Sequence, residues 1–318
     1  MNLNSPLPPA IVIAGPTASG KSGMALAIAR EFDGVVINAD SMQVYDVLRV
    51  VTARPSAEDE AATPHRVYGV LSPAIACSAA LWKDLAAQAM ADAWAAGKLP
   101  VLVGGTGLYL RTLMHGISPI PDIPEPVRLE ARERLARLGN ATFHAELAAR
   151  DPVMAQRLDP SNSQRLACAW EVLAATGRSL AEWQAAPMEG AVPARWRTFA
   201  LLPAREALYA NCDRRFRLMM DLGAADEVRA LLDMGLDPAL PAMKALGVPE
   251  LAEWLRGTID RDTAIARATQ ATRNYAKRQM TWFRNQLENP EVVSTQFSES
   301  LSPEIFSIIR QFLLTERD

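Results

Sequence analysis

Cysteine and histidine are scarce in this sequence. Its 318 residues include three of each, and Cys77, Cys168 and Cys212 lie far apart along the chain. No two cysteines have the spacing of a zinc-binding or redox motif, so the pattern predicts neither a disulfide framework nor a structural zinc site. The scarcity favours a reducing compartment, and we expect to find the protein in the cytoplasm.

Long hydrophobic runs and a strong net charge are missing as well. The first residues, MNLNSPLPPAIVIAGP, have no basic segment ahead of an apolar stretch, which argues against a secretory signal. No run of about 18 apolar residues occurs, so neither a membrane-spanning helix nor a membrane partner is expected. The formal net charge is only −3, so any binding of nucleic acid would depend on a local basic patch.

Short β-branched segments alternate with helical ones along much of the chain. Residues 11–14, 35–37 and 99–103 have the composition of buried strands, and residues 198–202 return to it. The helical segments between the first strands lie at residues 21–31, 78–96 and 108–115. This alternation predicts an α/β fold in which a parallel sheet carries helices on both faces.

A helical insertion interrupts this pattern. Four prolines between Ile117 and Arg128 mark a boundary, and we predict an all-helical domain over residues 119–194 between core segments 1–118 and 195–318. Its predicted helices cover residues 127–138, 141–150, 152–158, 163–176 and 179–184, with Asn140 and Ser163 as caps.

Three helices are predicted after the insertion, at residues 205–234, 262–287 and 302–315. We expect the last of them to pack on the core because its apolar residues recur at helical spacing. A helix that binds a partner is the alternative.

The strongest motif is a phosphate-binding loop, or P-loop. Its residues match the pattern GxxxxGK[ST] in full, between a predicted strand and a predicted helix; they are Gly15, Pro16, Thr17, Ala18, Ser19, Gly20, Lys21 and Ser22. In such a loop the backbone N–H groups surround a phosphate, the lysine adds a cation, and the hydroxyl of Ser22 can bind Mg²⁺. The motif identifies a di- or triphosphate site and leaves kinases, nucleotide hydrolases and prenyltransferases open.

Two further segments end predicted strands beside this loop. Asp40, within NADSMQVY at 38–45, places a carboxylate at the carboxyl end of the second strand, where it would face the ligand. The alternative is a helix N-cap or a magnesium ligand. The GGTG segment at 104–107 follows the third strand; its glycines permit close backbone approach and Thr106 offers a hydroxyl, or the segment is a tight turn with a cap.

The helix predicted at residues 262–287 is basic. Its residues from 264 onward include no Asp or Glu; the cations are Arg267, Arg273, Lys277, Arg278 and Arg284. At 100° per residue, Arg273, Lys277 and Arg284 fall on one stripe, with aromatic residues interleaved. This composition suits the backbone of a nucleic acid, and the alternative is a solvated face whose aromatic residues lie in the core.

These motifs occur together and in one order. They are GPTASGKS at 15–22, DSMQVY at 40–45, TARP at 52–55, GGTGLYL at 104–110, the pair Gln164–Arg165, the pair Arg215–Phe216 and AKRQMTWFRNQ at 276–286. In this combination the chain closely resembles the bacterial tRNA dimethylallyltransferases, also called tRNA isopentenyltransferases, over roughly residues 10–288.

The resemblance implies a reaction and its partners. Enzymes of this family transfer the five-carbon group of dimethylallyl diphosphate to the exocyclic amine of an adenine and release diphosphate, with Mg²⁺. The adenine lies 3′ to the anticodon, in the anticodon stem-loop of tRNAs that read codons beginning with U. The family combines a P-loop-kinase-like core with a helical insertion that grips the tRNA, and we expect a monomer.

Positions that match the family motifs imply residue roles. Asp40 would be the general base, because the amine of adenine is a poor nucleophile, and Lys21 and Thr106 would assist catalysis. The P-loop and Arg215 would hold the diphosphate, with Mg²⁺ at Ser22. The residues implied to contact tRNA are Asp40, Ser41, Met42, Gln43, Thr106, Arg128, Gln164, Arg165, Lys277, Arg278 and Arg284.

The chain departs from the family pattern at a few positions. Cys168 stands where a second arginine is usual, Val248 and Pro249 replace an aromatic and a basic residue, and Val51 replaces a glycine. These departures concern RNA contacts more than the P-loop or Asp40. The alternative functions are a small-molecule P-loop kinase, a prenyltransferase acting on free adenylate, and an RNA-binding module without catalysis.

Overall fold

The computed structural model describes residues 6–315. The first five residues of the N-terminal stretch and the last three residues of the chain lie outside the described part. Within residues 6–315, six strands form one parallel sheet in the order β3-β2-β4-β1-β5-β6. The strands are β1 (Pro9–Ala14), β2 (Gly34–Asn38), β3 (His65–Arg66), β4 (Leu99–Gly104), β5 (Arg195–Leu201) and β6 (Glu291–Val293).

The α-helices of this part of the chain are α1 (Lys21–Glu31), α2 (Ala57–Ala62), α3 (Ala79–Ala95), α4 (Gly107–His115), α5 (Glu125–Arg150), α6 (Pro152–Arg157), α7 (Ser163–Thr176), α8 (Leu180–Ala185), α9 (Arg205–Asp221), α10 (Ala224–Asp233), α11 (Val248–Leu255), α12 (Arg261–Gln286) and α13 (Ser302–Leu314). None of them is long and apolar enough to cross a membrane.

The sheet is buried on both faces, as predicted. Along β1, Ala10, Val12 and Ala14 belong to one apolar cluster, which also contains residues of α3, α4 and α12. Ile11 and Ile13 belong to a second cluster with residues of α1 and α13. Successive side chains of a strand point to opposite faces, so one strand contributes to both cores. The prediction that the last helix packs on the core is confirmed by α13, which buries Ile305 and Ile309 in the second cluster.

Several predicted elements need correction. The single helix predicted at 205–234 is wrong, because Gly223 has φ +97° and separates α9 from α10; this left-handed conformation cannot continue a helix. The cap of α7 is Asn162, whose side-chain oxygen accepts the N–H of Arg165 at 3.1 Å, and not Ser163. The predicted break near residue 139 is confirmed, since Gly139 is non-helical inside α5.

Four short elements were not predicted. The edge strands β3 and β6 have only two and three residues, too few to show the alternation that marks a strand. Helices α2 and α11 have six and eight residues, and α11 begins at Val248 and Pro249, the two positions that depart from the family motif.

The chain separates into two compact units. One comprises Met1–Met114 with Val192–Asp318, and the other comprises His115–Ala191. The second unit contains α5 to α8, and its own core includes Phe143, Leu147, Leu166 and Trp170. The sheet and its P-loop lie in the first unit.

Gly104, at the end of β4, leaves no room for a side chain. A Cβ there would lie 2.0 Å from the carbonyl oxygen of Ala39, so Gly104→Ala must push apart the ends of β4 and β2. We expect the free energy of unfolding to fall by about 1–3 kcal/mol, measured by urea denaturation. The control is Gly23→Ala in α1, where the new Cβ would meet Phe297 at an ordinary 3.5 Å and alanine favours the helix. Equal denaturation midpoints for the two variants would contradict the conclusion that Gly104 leaves no room for a side chain.

Candidate active site

The loops that follow three neighbouring strands lie side by side. Because β4 pairs with both β1 and β2, the P-loop after β1, the Asp40 segment after β2 and the GGTG segment after β4 meet at one edge of the sheet. The N–H of Ala39 donates to Val103 at 2.8 Å, and the N–H of Thr106 donates to Ala39 at 3.2 Å. The carboxyl edge of a parallel sheet is the usual place for a ligand crevice.

The P-loop has the strained backbone that its sequence pattern predicts. Gly15, Ala18 and Gly20 have positive φ angles of 152°, 63° and 91°, and a Cβ at Gly15 would lie 2.5 Å from the carbonyl oxygen of Leu201 on β5. The buried hydroxyl of Ser19 has no hydrogen-bond partner among residues 6–315. A tightly curled loop at the start of a helix, with unpaired polar groups, fits an anionic ligand.

Two partly buried cations face this loop. The Lys21 ammonium donates to the carbonyl oxygen of Pro16 at 2.6 Å, and burial lowers the pKa of Lys21 to about 8, against the opposing effect of Asp40. Arg215, from α9, donates to the hydroxyl of Thr17, and burial also lowers the pKa of its guanidinium. Both groups carry the cost of desolvation, which an anion in the loop would offset.

Asp40 is held in a local turn. One carboxylate oxygen, Oδ1, accepts the N–H of Met42 at 2.9 Å, and the side chain of Asn38 bonds the N–H and carbonyl of Asp40 at 2.8 and 3.0 Å. No residue of the described chain donates a hydrogen bond to Oδ2. No helix begins at Asp40, so the alternative of a helix N-cap does not apply, and one oxygen of a fixed carboxylate is left for chemistry.

Thr106 connects the GGTG segment to the Asp40 segment. Its hydroxyl oxygen accepts the N–H of Ser41 at 2.9 Å and lies 3.3 Å from the Ser41 hydroxyl. Gln43 acts on the other side of the same segment, donating to the carbonyl oxygens of Thr52 and Ala53 at 2.8 and 3.0 Å. These bonds fix the course of the chain directly after Asp40.

Two adjoining cavities meet at Asp40. The loop cavity, of about 410 Å³, is lined by Thr17–Gly23 of the P-loop together with Tyr68, Asn211 and Gln296. The side cavity, of about 270 Å³, is lined by Phe216, Met219, Lys244, Leu246, Tyr275 and Arg278. Four residues line both: Thr17, Asp40, Thr52 and Arg215. An anionic site and a partly apolar site therefore share one wall that carries a carboxylate and a guanidinium.

The predicted basic stripe on α12 is only partly available. Arg273 forms a bidentate ion pair with Asp213 of α9, and Arg267 pairs with Glu253 at 2.9 Å. Lys277 and Arg284 are exposed, and Arg278 lines the side cavity. The carboxylates that engage Arg267 and Arg273 come from other helices, so the charge count within α12 could not reveal them.

The remaining predicted RNA contacts lie in the unit His115–Ala191. Arg128, near the start of α5, donates to the carbonyl oxygen of Ile123 and to Asp122, both at 3.1 Å. Gln164 and Arg165 are exposed in the first turn of α7. Cys168 is exposed one turn further along the same helix.

Sequence reasoning missed two side chains that hold the site together. The Glu227 carboxylate accepts the N–H groups of Arg49, Val50 and Val51 at 2.7–3.0 Å. Gln279 of α12 accepts the N–H of Thr17 and donates to Gly105, both at 2.8 Å. Gln279 lies within the segment AKRQMTWFRNQ, but nothing local in the sequence indicates which backbone either residue contacts.

A magnesium ion would find suitable groups in the loop cavity. Ser22 and Asp40 both line it, and among residues 6–315 no group of three or more His, Cys, Asp or Glu is arranged to hold a metal. Mg²⁺ bound to phosphates needs only one or two protein ligands. The residues present fit an ion that arrives with a diphosphate.

Two family models match the chain. One, described as IPP transferase, matches residues 43–286, and the other, described as isopentenyl transferase, matches residues 9–75. The chain belongs to the IPP transferase family. Its membership confirms the resemblance inferred from the motifs and makes the chain a prenyltransferase.

Relatives of this IPP transferase are named tRNA dimethylallyltransferase. The Paramagnetospirillum magneticum protein is 63% identical over 307 residues, 96% of this chain and 98% of that protein. The Rhodospirillum rubrum protein is 54% identical over 312 residues, 96% of each.

Solved structures agree. The Bacillus halodurans tRNA isopentenylpyrophosphate transferase has a TM-score of 0.69 at 31% identity over 96% of each chain. A eukaryotic dimethylallyltransferase acting on tRNA has a TM-score of 0.81 at 25% identity over 96% of this chain and 79% of that one. The fold prediction of a P-loop α/β core is confirmed.

The lowered pKa of Lys21 gives a pH-dependent signature of ligand binding. Free enzyme loses the Lys21 proton above about pH 8, and a bound diphosphate favours the charged form, so binding at about pH 9 must take up a proton. Calorimetry of pyrophosphate binding in buffers of different ionisation enthalpy should show this uptake, and show much less of it at about pH 7.

The control is Lys21→Met, which cannot take up this proton. Protonation of pyrophosphate itself is common to both proteins, so the difference between them isolates Lys21. The same proton uptake in wild type and variant at both pH values would rule out a titrating Lys21 in this site.

Proposed function

We propose that the chain transfers the dimethylallyl group of dimethylallyl diphosphate to the exocyclic amine of the adenine 3′ to the anticodon, in tRNAs that read codons beginning with U. The observation that carries this proposal is the wall between the two cavities, where Asp40 and Arg215 face both an anion-binding loop and a partly apolar space. The relatives are named for the same transferred group and the same acceptor, dimethylallyl and tRNA, which supports the proposal.

The P-loop side binds the donor. Backbone N–H groups of Ala18 to Ser22 in the P-loop, the ammonium of Lys21 and the guanidinium of Arg215 surround the diphosphate. These groups stabilise the negative charge that grows on the leaving oxygen as its bond to carbon breaks. When bound at Ser22, Mg²⁺ would add a further positive charge beside the phosphates.

Asp40 acts on the acceptor side. The adenine amine forms a bond to the first carbon of the prenyl group while the carbon–oxygen bond breaks, and its surplus proton passes to Oδ2 of Asp40. A base is needed because the lone pair of the amine is delocalised into the ring. Thr106 serves this step through Ser41, whose N–H it holds at 2.9 Å, and so keeps the turn around Asp40 in place.

Contacts to RNA come from both units. Ser41, Met42, Gln43 and Thr106 adjoin the acceptor, while Lys277, Arg278 and Arg284 of α12 bind phosphates. Arg128, Gln164 and Arg165 of the helical unit bind the anticodon stem-loop. Lys244, exposed and lining the side cavity, places a further cation near the acceptor. We propose that the enzyme works as a monomer in the cytoplasm.

Transfer of labelled dimethylallyl diphosphate to unmodified tRNA tests the reaction and the base together. Asp40→Asn keeps the shape and removes the basic oxygen, so we expect the rate of transfer at saturating donor to fall about 10²–10⁴-fold. Asp46→Asn, an exposed aspartate in the same loop, should keep wild-type rates. Chelation of Mg²⁺ should stop transfer, and added Mg²⁺ should restore it.

Two of the alternative functions have their own outcome in this experiment. Label on free adenylate in place of tRNA would mean a nucleotide prenyltransferase. Phosphate transfer from ATP, with no prenyl transfer to either acceptor, would mean a kinase. Full transfer by Asp40→Asn would remove Asp40 as the base while leaving the reaction intact.

Some cations of α12 form ion pairs with carboxylates of other helices, and others are exposed to solvent. We expect the exposed cations, and not the paired ones, to bind RNA. Lys277→Ala should weaken tRNA binding and reduce the slope of log affinity against log salt by about 0.7–0.9, the value for one phosphate contact. Arg267→Ala removes the same charge from a residue already paired with Glu253, and should leave the slope unchanged. Fluorescence anisotropy titrations at several KCl concentrations measure the tRNA affinity and its salt dependence for both variants. Equal slopes for the two variants would contradict the expectation that only exposed cations bind RNA.

A further inference from the structure

Gln279 is a polar side chain buried in a helix that faces the site. It lies on α12 and is 5% exposed, and both the oxygen and the nitrogen of its amide form hydrogen bonds to backbone groups. Its oxygen accepts the N–H of Thr17 in the P-loop at 2.8 Å, and its nitrogen donates to the carbonyl oxygen of Gly105 at 2.8 Å. One side chain therefore joins the loop after β1 to the loop after β4.

We propose that Gln279 is a positioning residue that holds the donor-binding P-loop in register with the segment carrying the general base. The proposal rests on the proposed prenyl transfer for the identity of the two substrates. It adds a link between them that neither the P-loop motif nor the role of Asp40 requires.

Hydrogen-bond chains run from Gln279 to each half of the reaction. On the donor side, Thr17 gives its N–H to Gln279 and accepts a hydrogen bond from Arg215 through its hydroxyl. On the acceptor side, Gly105 is followed by Thr106, which holds the N–H of Ser41 beside Asp40. The distance between the leaving group and the base thus depends on a bond at each end of one amide.

An amide of this length suits the position. A backbone N–H can only donate and a carbonyl oxygen can only accept, so the bridging group needs one acceptor and one donor, as Gln has. The fit is also close, since a Cβ on Gly105 would lie 2.1 Å from Nε2 of Gln279. One turn along α12, Trp282 approaches Gly107 in the same way, where a Cβ would lie 2.2 Å from the indole.

The first test removes both hydrogen bonds and keeps the volume. Gln279→Met should lower kcat for transfer to tRNA on the order of 10²-fold, the effect of a small misplacement of reacting groups, and should raise the Kd for pyrophosphate. The Kd for tRNA should stay near wild type, because Gln279 lines neither cavity. If Gln279 served packing alone, Gln279→Met would lower the melting temperature, but it would not lower kcat while leaving the Kd for tRNA unchanged.

The second test restores one hydrogen bond by protonation. In Gln279→Glu a carboxylate can accept from Thr17 but has no hydrogen to donate to Gly105, whereas the protonated acid can do both. The ratio of variant to wild-type kcat should therefore rise as pH falls. Gln270→Glu, exposed on the same helix and bonded to Asn274, adds the same charge and should give a ratio that does not change with pH.

The outcomes separate this proposal from the proposed function. Wild-type kcat and pyrophosphate affinity in Gln279→Met would overturn the positioning role, as would a low and pH-independent ratio in Gln279→Glu. Absence of prenyl transfer by the wild type would instead overturn the proposed function. Pyrophosphate binding would still report on Gln279 in that case, because it measures the P-loop without any reaction.

Discussion

The carbonyl oxygen of Ala39 accepts the N–H of Thr106 at 3.2 Å, at a point where a side chain on Gly104 would lie only 2.0 Å away. This close approach of two strand ends exists because β4 lies between β1 and β2 in the sheet. The remaining features of the site follow from it. The P-loop, the turn around Asp40 and the GGTG segment can meet only where these three strands end together.

The electrostatics of the site match this geometry. Lys21 and Arg215 both lie partly buried beside the P-loop, and desolvation lowers the pKa of each. The protein thus holds two cations in a poorly solvated place, with Asp40 as the nearby opposing charge. A diphosphate that enters the loop replaces lost solvation, and the same charges remain in position when the diphosphate becomes the leaving group.

The sequence predicted the parts of this protein that depend on local pattern. The alternation of buried strands and helices indicated the parallel sheet, and GxxxxGK[ST] located the P-loop. The helical composition of residues 21–31 predicted α1 with the range that the structure has. The resemblance to a family pointed to Asp40 and Arg215. Gly223, which ends α9, is a signal of the same local kind that the prediction of one long helix overlooked.

Contacts between distant parts of the chain were beyond local pattern. Gln279 forms hydrogen bonds with Thr17, which is 262 positions away in the sequence, and with Gly105, which is 174 positions away. Glu227 accepts a hydrogen bond from the backbone of Val50, 177 positions away. Arg273 looked free because its partner, Asp213, belongs to another helix. Composition and spacing report which residue types are present, but the pairing of two side chains or of a side chain with distant backbone depends on the packing of helices against the sheet.

The wall that the two cavities share also constrains how the sequence of this enzyme can evolve. A substitution at Thr17, Asp40, Thr52 or Arg215 alters the walls of both cavities at once. In the proposed reaction, selection for a new donor at these positions would therefore disturb the acceptor. A substitution at a residue that lines only one of these two cavities leaves the other cavity unchanged. Such residues are Tyr68 and Gln296 in the loop cavity, and Met219 and Leu246 in the side cavity. Divergence in substrate preference should therefore accumulate at the far walls of the two cavities and leave the shared wall unchanged.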